Sequence, residues 1–124
     1  MRKILYSLAL PIVFLSFSAS AESVTVYDYE TGKYYDYDVQ CHDGSTSIYD
    51  HDRGTYIDGR HSGNNSSYYD YGRGSFYDMR QTGPNSYSGF DYETGTHQDY
   101  RAFPNGSVEV YDYGDGTYRT FDVD

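Results

Sequence analysis

The sequence predicts an all-β fold: five antiparallel β-hairpins of about 21 residues each, closing into a shallow, pseudo-five-fold symmetric barrel. Three observations predict it. A Tyr-Asp or Phe-Asp pair recurs five times with Gly four residues after its Asp, at Asp28 and Gly32, Asp50 and Gly54, Asp70 and Gly74, Asp91 and Gly95, and Asp112 and Gly116. The Asp-to-Asp steps are 22, 20, 21 and 21 residues, and self-similarity at a fixed short period marks one supersecondary unit copied until the copies bury a core together. Aromatic and β-branched residues flank each of these glycines, the composition of strands on either side of a turn.

Residues 1–21 read as a secretory signal peptide. Arg2 and Lys3 give a basic start, Ile4 to Phe17 an apolar stretch interrupted by Pro11, and Ala19-Ser20-Ala21 a small-residue cleavage site. The expected cut lies between Ala21 and Glu22. A lipoprotein would carry Cys just after the cut, whereas the single cysteine, Cys41, lies further on, so neither a lipid anchor nor a transmembrane span is expected in the mature chain. The expected location is periplasmic or extracellular. Residues 22–124 then form a single domain.

The first repeat justifies the hairpin reading. Val24 to Tyr29 and Lys33 to Val39 are two strand-like runs around Glu30-Thr31-Gly32, a three-residue connection whose Gly suits the positive φ of a type I turn with a glycine bulge. Asp52-Arg53-Gly54, Gly72-Arg73-Gly74, Glu93-Thr94-Gly95 and Gly114-Asp115-Gly116 fit the same template in repeats two to five. Between repeats lie His42-Asp43-Gly44-Ser45, Gly63-Asn64-Asn65-Ser66, Gly83-Pro84-Asn85-Ser86 and Pro104-Asn105-Gly106-Ser107, all with strong turn chemistry. Ten short strands in up-and-down order follow, with no helix.

A three-residue turn places Tyr27 opposite Tyr35 on one face, and Asp28 opposite Tyr34 on the other, with Val26 beside Asp36. The equivalent first-face pairs are Tyr49 with Ile57, Tyr69 with Tyr77, Phe90 with Gln98 and Tyr111 with Arg119. Because carboxylates rarely sit buried, the Asp face is expected to face water and the Tyr27 face to point inward. An open ten-stranded sheet would expose long edges, so the last hairpin is expected to meet the first.

Five Tyr-Asp hairpins of this length behind a signal peptide resemble the β-flower family of small bacterial exported proteins, shallow barrels with hairpins spread like petals. The resemblance spans residues 22–124 and rests on repeat number, period and the Tyr-Asp-x-x-x-Gly pattern. It implies no established activity; the similarity of that shape to tubby-like and scramblase-like barrels points to lipid contact. The tyrosine-aspartate repeats of large toxin shells are similar too, but place Gly three residues after Asp.

Composition narrows the function. The formal net charge is −10, or −12 without Arg2 and Lys3, which repels phosphate backbones and makes nucleic acid an unsuitable partner. The 18 tyrosines separate the chain from acidic disordered segments, which are poor in aromatics. One cysteine supplies no disulfide, and Cys41 reads as a buried, inert thiol. The five repeated aspartates could line a cation site, but an Asp just before a tight turn ordinarily accepts its backbone N–H groups, and the structural role is the expected one. His42, His51, His61 and His97 lack zinc-site spacing, and neither a nucleophile elbow nor a phosphate loop is present. No catalytic residue, metal or cofactor is assigned.

The expected function is therefore a non-catalytic exported binding module, its ligand a glycan, a lipid or a cell-envelope component. Tyrosine faces stack on pyranose rings and carboxylates take their hydroxyls. The alternatives are a structural, homo-oligomeric interaction protein and, last, an acidic hydrolase. Scaffold repeats whereas a site need not, so the stretches that depart most from the repeat are the candidate ligand contacts: Arg60, His61 and Asn64 in one, Arg101 and Phe103 in the other.

Overall fold

A computed structural model describes residues 21–123; the signal-peptide reading of residues 1–21 lies, but for Ala21, outside the described residues. Ten strands run β1 (Ala21–Asp28), β2 (Lys33–His42), β3 (Ser45–Asp50), β4 (Thr55–Ser62), β5 (Asn65–Asp70), β6 (Ser75–Gly83), β7 (Ser86–Asp91), β8 (Thr96–Ala102), β9 (Ser107–Asp112) and β10 (Thr117–Val123). Each is antiparallel to its sequence neighbours, and β1 pairs with β10, so five hairpins close a barrel with no free edge. No helix occurs among the described residues. The ladder that closes the ring is the shortest, with three residue pairs from Val26–Val123 to Asp28–Phe121, against eight between β1 and β2.

The turns differ from the sequence expectation by one residue. Asp28 pairs with Lys33, leaving a four-residue loop, Tyr29 to Gly32, and the other four hairpins repeat this with Asp50–Thr55, Asp70–Ser75, Asp91–Thr96 and Asp112–Thr117. The Gly N–H donates to the Asp carbonyl at 2.8 Å in all five, and each Gly has φ between 65° and 71°, the left-handed region open to glycine. The physical reason for the longer loop is the Asp side chain, which binds the N–H two residues on and holds the Asp itself in the strand.

One residue of slip turns a strand over. In hairpin 1, Val26 faces Tyr35 and Tyr27 faces Tyr34. The return strands point as expected, with Tyr35, Ile57, Tyr77, Gln98 and Arg119 buried, but the outgoing strands are reversed. Val26, Ile48 and Val110 lie in the core, and so do all five repeat aspartates, at 0–4% exposure, while the Tyr27 face points outward. The expectation that the aspartates face water is thus overturned: each finds donors inside the barrel.

The core is filled unevenly from the five copies. Valines and Phe121 occupy the seam between hairpins 5 and 1, and tyrosines the interior of hairpins 1, 3 and 4. Gly59 and Gly89 make room for two of those rings, since a Cβ at either would lie 2.3 Å from an atom of Tyr68 or Tyr77 respectively. Tyr77 reaches across to donate to Gln98 Oε1 at 2.7 Å and is hydrogen-bonded to the Tyr100 hydroxyl. Burial pushes the phenols of Tyr37, Tyr68, Tyr77 and Tyr100 well above their ordinary range.

Candidate functional site

Two concentric sets of side chains repeat around the turn-bearing end of the barrel. The inner set is the five aspartates. Asp28 Oδ1 accepts the N–H of Glu30 at 2.9 Å, and Asp50, Asp70, Asp91 and Asp112 accept from Asp52, Gly72, Glu93 and Gly114 at 2.8–3.0 Å. Three arginines neutralise most of the charge this buries. Arg53 bridges Asp50 at 2.8 Å and Asp70 of the next hairpin at 2.6 Å; Arg73 likewise reaches Asp91 at 3.0 Å, and also Glu93. Arg119 crosses the seam to Asp28 at 3.3 Å and Glu30 at 2.6 Å. In place of a guanidinium, Asp112 has the amide of Gln98 at 3.3 Å, and its Oδ2 is buried with no partner among the described residues. No three metal-ligating side chains converge among the described residues.

The outer set is a belt of aromatic rings. The Asp+1 residue and a return-strand ring flank a central aromatic in every hairpin: Tyr29, Tyr27 and Tyr34; His51, Tyr49 and Tyr56; Tyr71, Tyr69 and Phe76; Tyr92, Phe90 and His97; Tyr113, Tyr111 and Tyr118. Ring centroids lie 4.7–5.1 Å apart in edge-on or tilted contacts, the arrangement that ring quadrupoles favour. Eight of the flanking rings stay 51–68% exposed, enough for a ligand to cover.

Each Asp+1 side chain also ties its hairpin to the one before. Tyr71 donates to Asp58 at 3.2 Å, Tyr92 to Asp78 at 2.9 Å and Tyr113 to Asp99 at 2.8 Å; Tyr29 donates to Asp122, and His51 Nε2 pairs with Asp38 Oδ2 at 2.9 Å. A phenol that donates to a carboxylate resists ionisation, so Tyr29, Tyr71, Tyr92 and Tyr113 are shifted upward. The His51 bond in turn holds the Asp38 carboxyl below its ordinary range.

Two grooves lie between hairpins against this belt. One, of about 820 Å³, is lined by Asp58, Arg60, Tyr69, Tyr71 and Phe76 between hairpins 2 and 3. The other, of about 560 Å³, is lined by Arg80, Asp99, Arg101, Glu109, Tyr111 and Tyr113 among others.

The residues singled out from the sequence are not gathered into one site. Arg60 and Arg101 line different grooves, each exposed. His61 lies among Thr46 and Ser66, hydrogen-bonded to both hydroxyls and edge-on to Tyr68 at 5.8 Å, and burial lowers its pKa. Asn64 sits in the β4–β5 turn, where its carbonyl accepts the Gln81 N–H at 2.9 Å. Phe103 closes the β8–β9 turn, its carbonyl accepting the Gly106 N–H at 3.1 Å. Sequence reasoning missed the belt and Arg80, although both were marked by recurrence, the belt at Asp+1 and Arg80 at Asp+10. No protein-family model, no curated protein and no solved structure matches the chain.

Proposed function

We propose that the protein is an exported, non-catalytic binding module of the β-flower type, and that its ligand is a glycan held on the aromatic belt. The observation that carries the reading is the fivefold recurrence of exposed rings beside carboxylates, at Tyr29, Tyr71, Tyr92 and Tyr113 above all. A pyranose needs a flat apolar face to cover its C–H side and fixed acceptors and donors for its hydroxyls; the belt offers both, with rings held by their neighbours so that little side-chain entropy is lost on binding. A lipid bilayer fits less well, because Asp36, Asp38, Asp58, Asp78 and Asp99 stand on the same outward face as the rings.

A glycan array probed with the purified protein, with liposome flotation beside it, tests the reading. Retention on a glycan, lost when Tyr56 and Phe76 are both changed to Ala, is the expected result. Flotation with neutral liposomes and no glycan retained would overturn it.

A further inference from the structure

The described residues include six arginines, and they divide by position. Arg53, Arg73 and Arg119 are spent inside on the aspartate ring. Arg60, Arg80 and Arg101 are exposed on the outer face of β4, β6 and β8, each ten residues after its repeat Asp, and none has a carboxylate within ion-pairing distance among the described residues. In a chain with 19 acidic residues that is unexpected. The belt accounts for it: the aspartate two residues before each arginine, Asp58, Asp78 or Asp99, accepts a tyrosine hydroxyl of the next hairpin.

Hairpins 1 and 5 are built the other way. Their Asp+10 residues are Asp38 and Asp122, which themselves bond His51 and Tyr29. Hairpins 2–4 therefore each carry a guanidinium with no ion pair among the described residues beside an outward-facing aspartate, with Glu109 across from Arg101, whereas hairpins 1 and 5 carry a carboxylate in the arginine position itself.

We propose that the three arginines form a stripe that reads negative charge, so that the ligand is an acidic polysaccharide of the uronate class. This rests on the glycan reading above and narrows it. Alternate strands are about 10 Å apart, twice the spacing of neighbouring strands. That distance is close to the length of a disaccharide, so a polyuronate laid across β4, β6 and β8 presents one carboxylate to each guanidinium while its rings lie against the belt. The planar fork of arginine binds a carboxylate through two parallel N–H donors, which a neutral sugar cannot reciprocate. Attraction of this kind at an exposed surface weakens with salt.

The test is titration of the purified protein with polygalacturonate, dextran and dextran sulfate, for the wild type, the triple variant Arg60→Gln/Arg80→Gln/Arg101→Gln and the double variant Tyr56→Ala/Phe76→Ala. The expected result is polygalacturonate binding at low salt that falls about tenfold or more in the triple variant, with an unchanged melting temperature. Equal affinity of wild type and triple variant for polygalacturonate, or wild-type binding to dextran alone, overturns the stripe while leaving the glycan reading intact. Preference for dextran sulfate keeps the anion stripe and overturns the uronate assignment. No binding to any of the three polymers overturns the stripe, and if the array is also blank the glycan reading falls with it.

Discussion

Asp70 and Asp112 occupy the same place in the third and fifth copies and differ in what neutralises them. Asp70 has the Arg53 guanidinium, whereas Asp112 has an amide and an oxygen without a partner among the described residues. Exchange to Asn keeps shape and turn acceptor in both cases and removes only the charge. Asp70→Asn is expected to cost about 3 kcal/mol, because it leaves Arg53 buried and half-paired, whereas Asp112→Asn is expected to be neutral or stabilising by about 1 kcal/mol. Urea denaturation of the two variants checks the order. His61 gives a pH dependence. Its folded pKa is depressed by burial, so the fold holds it neutral; its contribution is present above the unfolded value of about 6.5 and is lost as pH falls through the lower folded value. The melting temperature is expected to fall as pH drops below about 6.5, and less steeply in His61→Gln. At this scale the repeat Asp and Gly were readable because each copy needs them. The inward aim of the Asp was not, because general aversion of carboxylates to burial is overridden mainly by arginines from a neighbouring copy or from across the seam, with Asp50 taking Arg53 from its own turn.

The hairpin is the unit in which the pairing is decided. Arg53 and Arg73 stand three residues after their repeat Asp and reach the Asp of the following hairpin; in hairpin 4 that place is held by Thr94, and the following Asp is Asp112. Thr94→Arg should complete the pattern and stabilise by about 1–3 kcal/mol, the worth of a hydrogen bond to a charged group, with the gain absent in the Asp112→Asn background. A melt of the two single variants and the double variant measures that coupling. Gly74→Val forces a β-branched residue to φ 67° and is expected to cost about 1–3 kcal/mol in the same assay. Strand identity followed from composition and period alone, and the place of each turn did so to within one residue. The face of each outgoing strand did not, since a three- and a four-residue loop share the same Tyr-Asp-x-x-x-Gly signature and only the Asp-to-backbone bonds distinguish them. Val26, Ile48 and Val110, apolar on the face first assigned to water, were the visible sign of the slip.

On the scale of the molecule, closure is what allows a chain without a disulfide and with a partly polar interior to hold its shape. The seam has the shortest ladder, and side chains reinforce it: Arg119 binds Asp28 and Glu30, and Tyr29 binds Asp122. Replacing Arg119 with Met strands Asp28 without a cation and should destabilise by about 3–5 kcal/mol. Ring closure itself was legible, because five equal hairpins leave no other way to cover two edges. The row of arginines without ion pairs was not, because it depends on which carboxylate each tyrosine takes. Deletion of Val108 to Asp124 tests the closed ring most directly. A closed barrel is expected to lose cooperative melting altogether, since removing the fifth hairpin exposes both a new edge and the core on either side. A truncated protein that still melts cooperatively, at close to the temperature of the whole chain, would contradict the account.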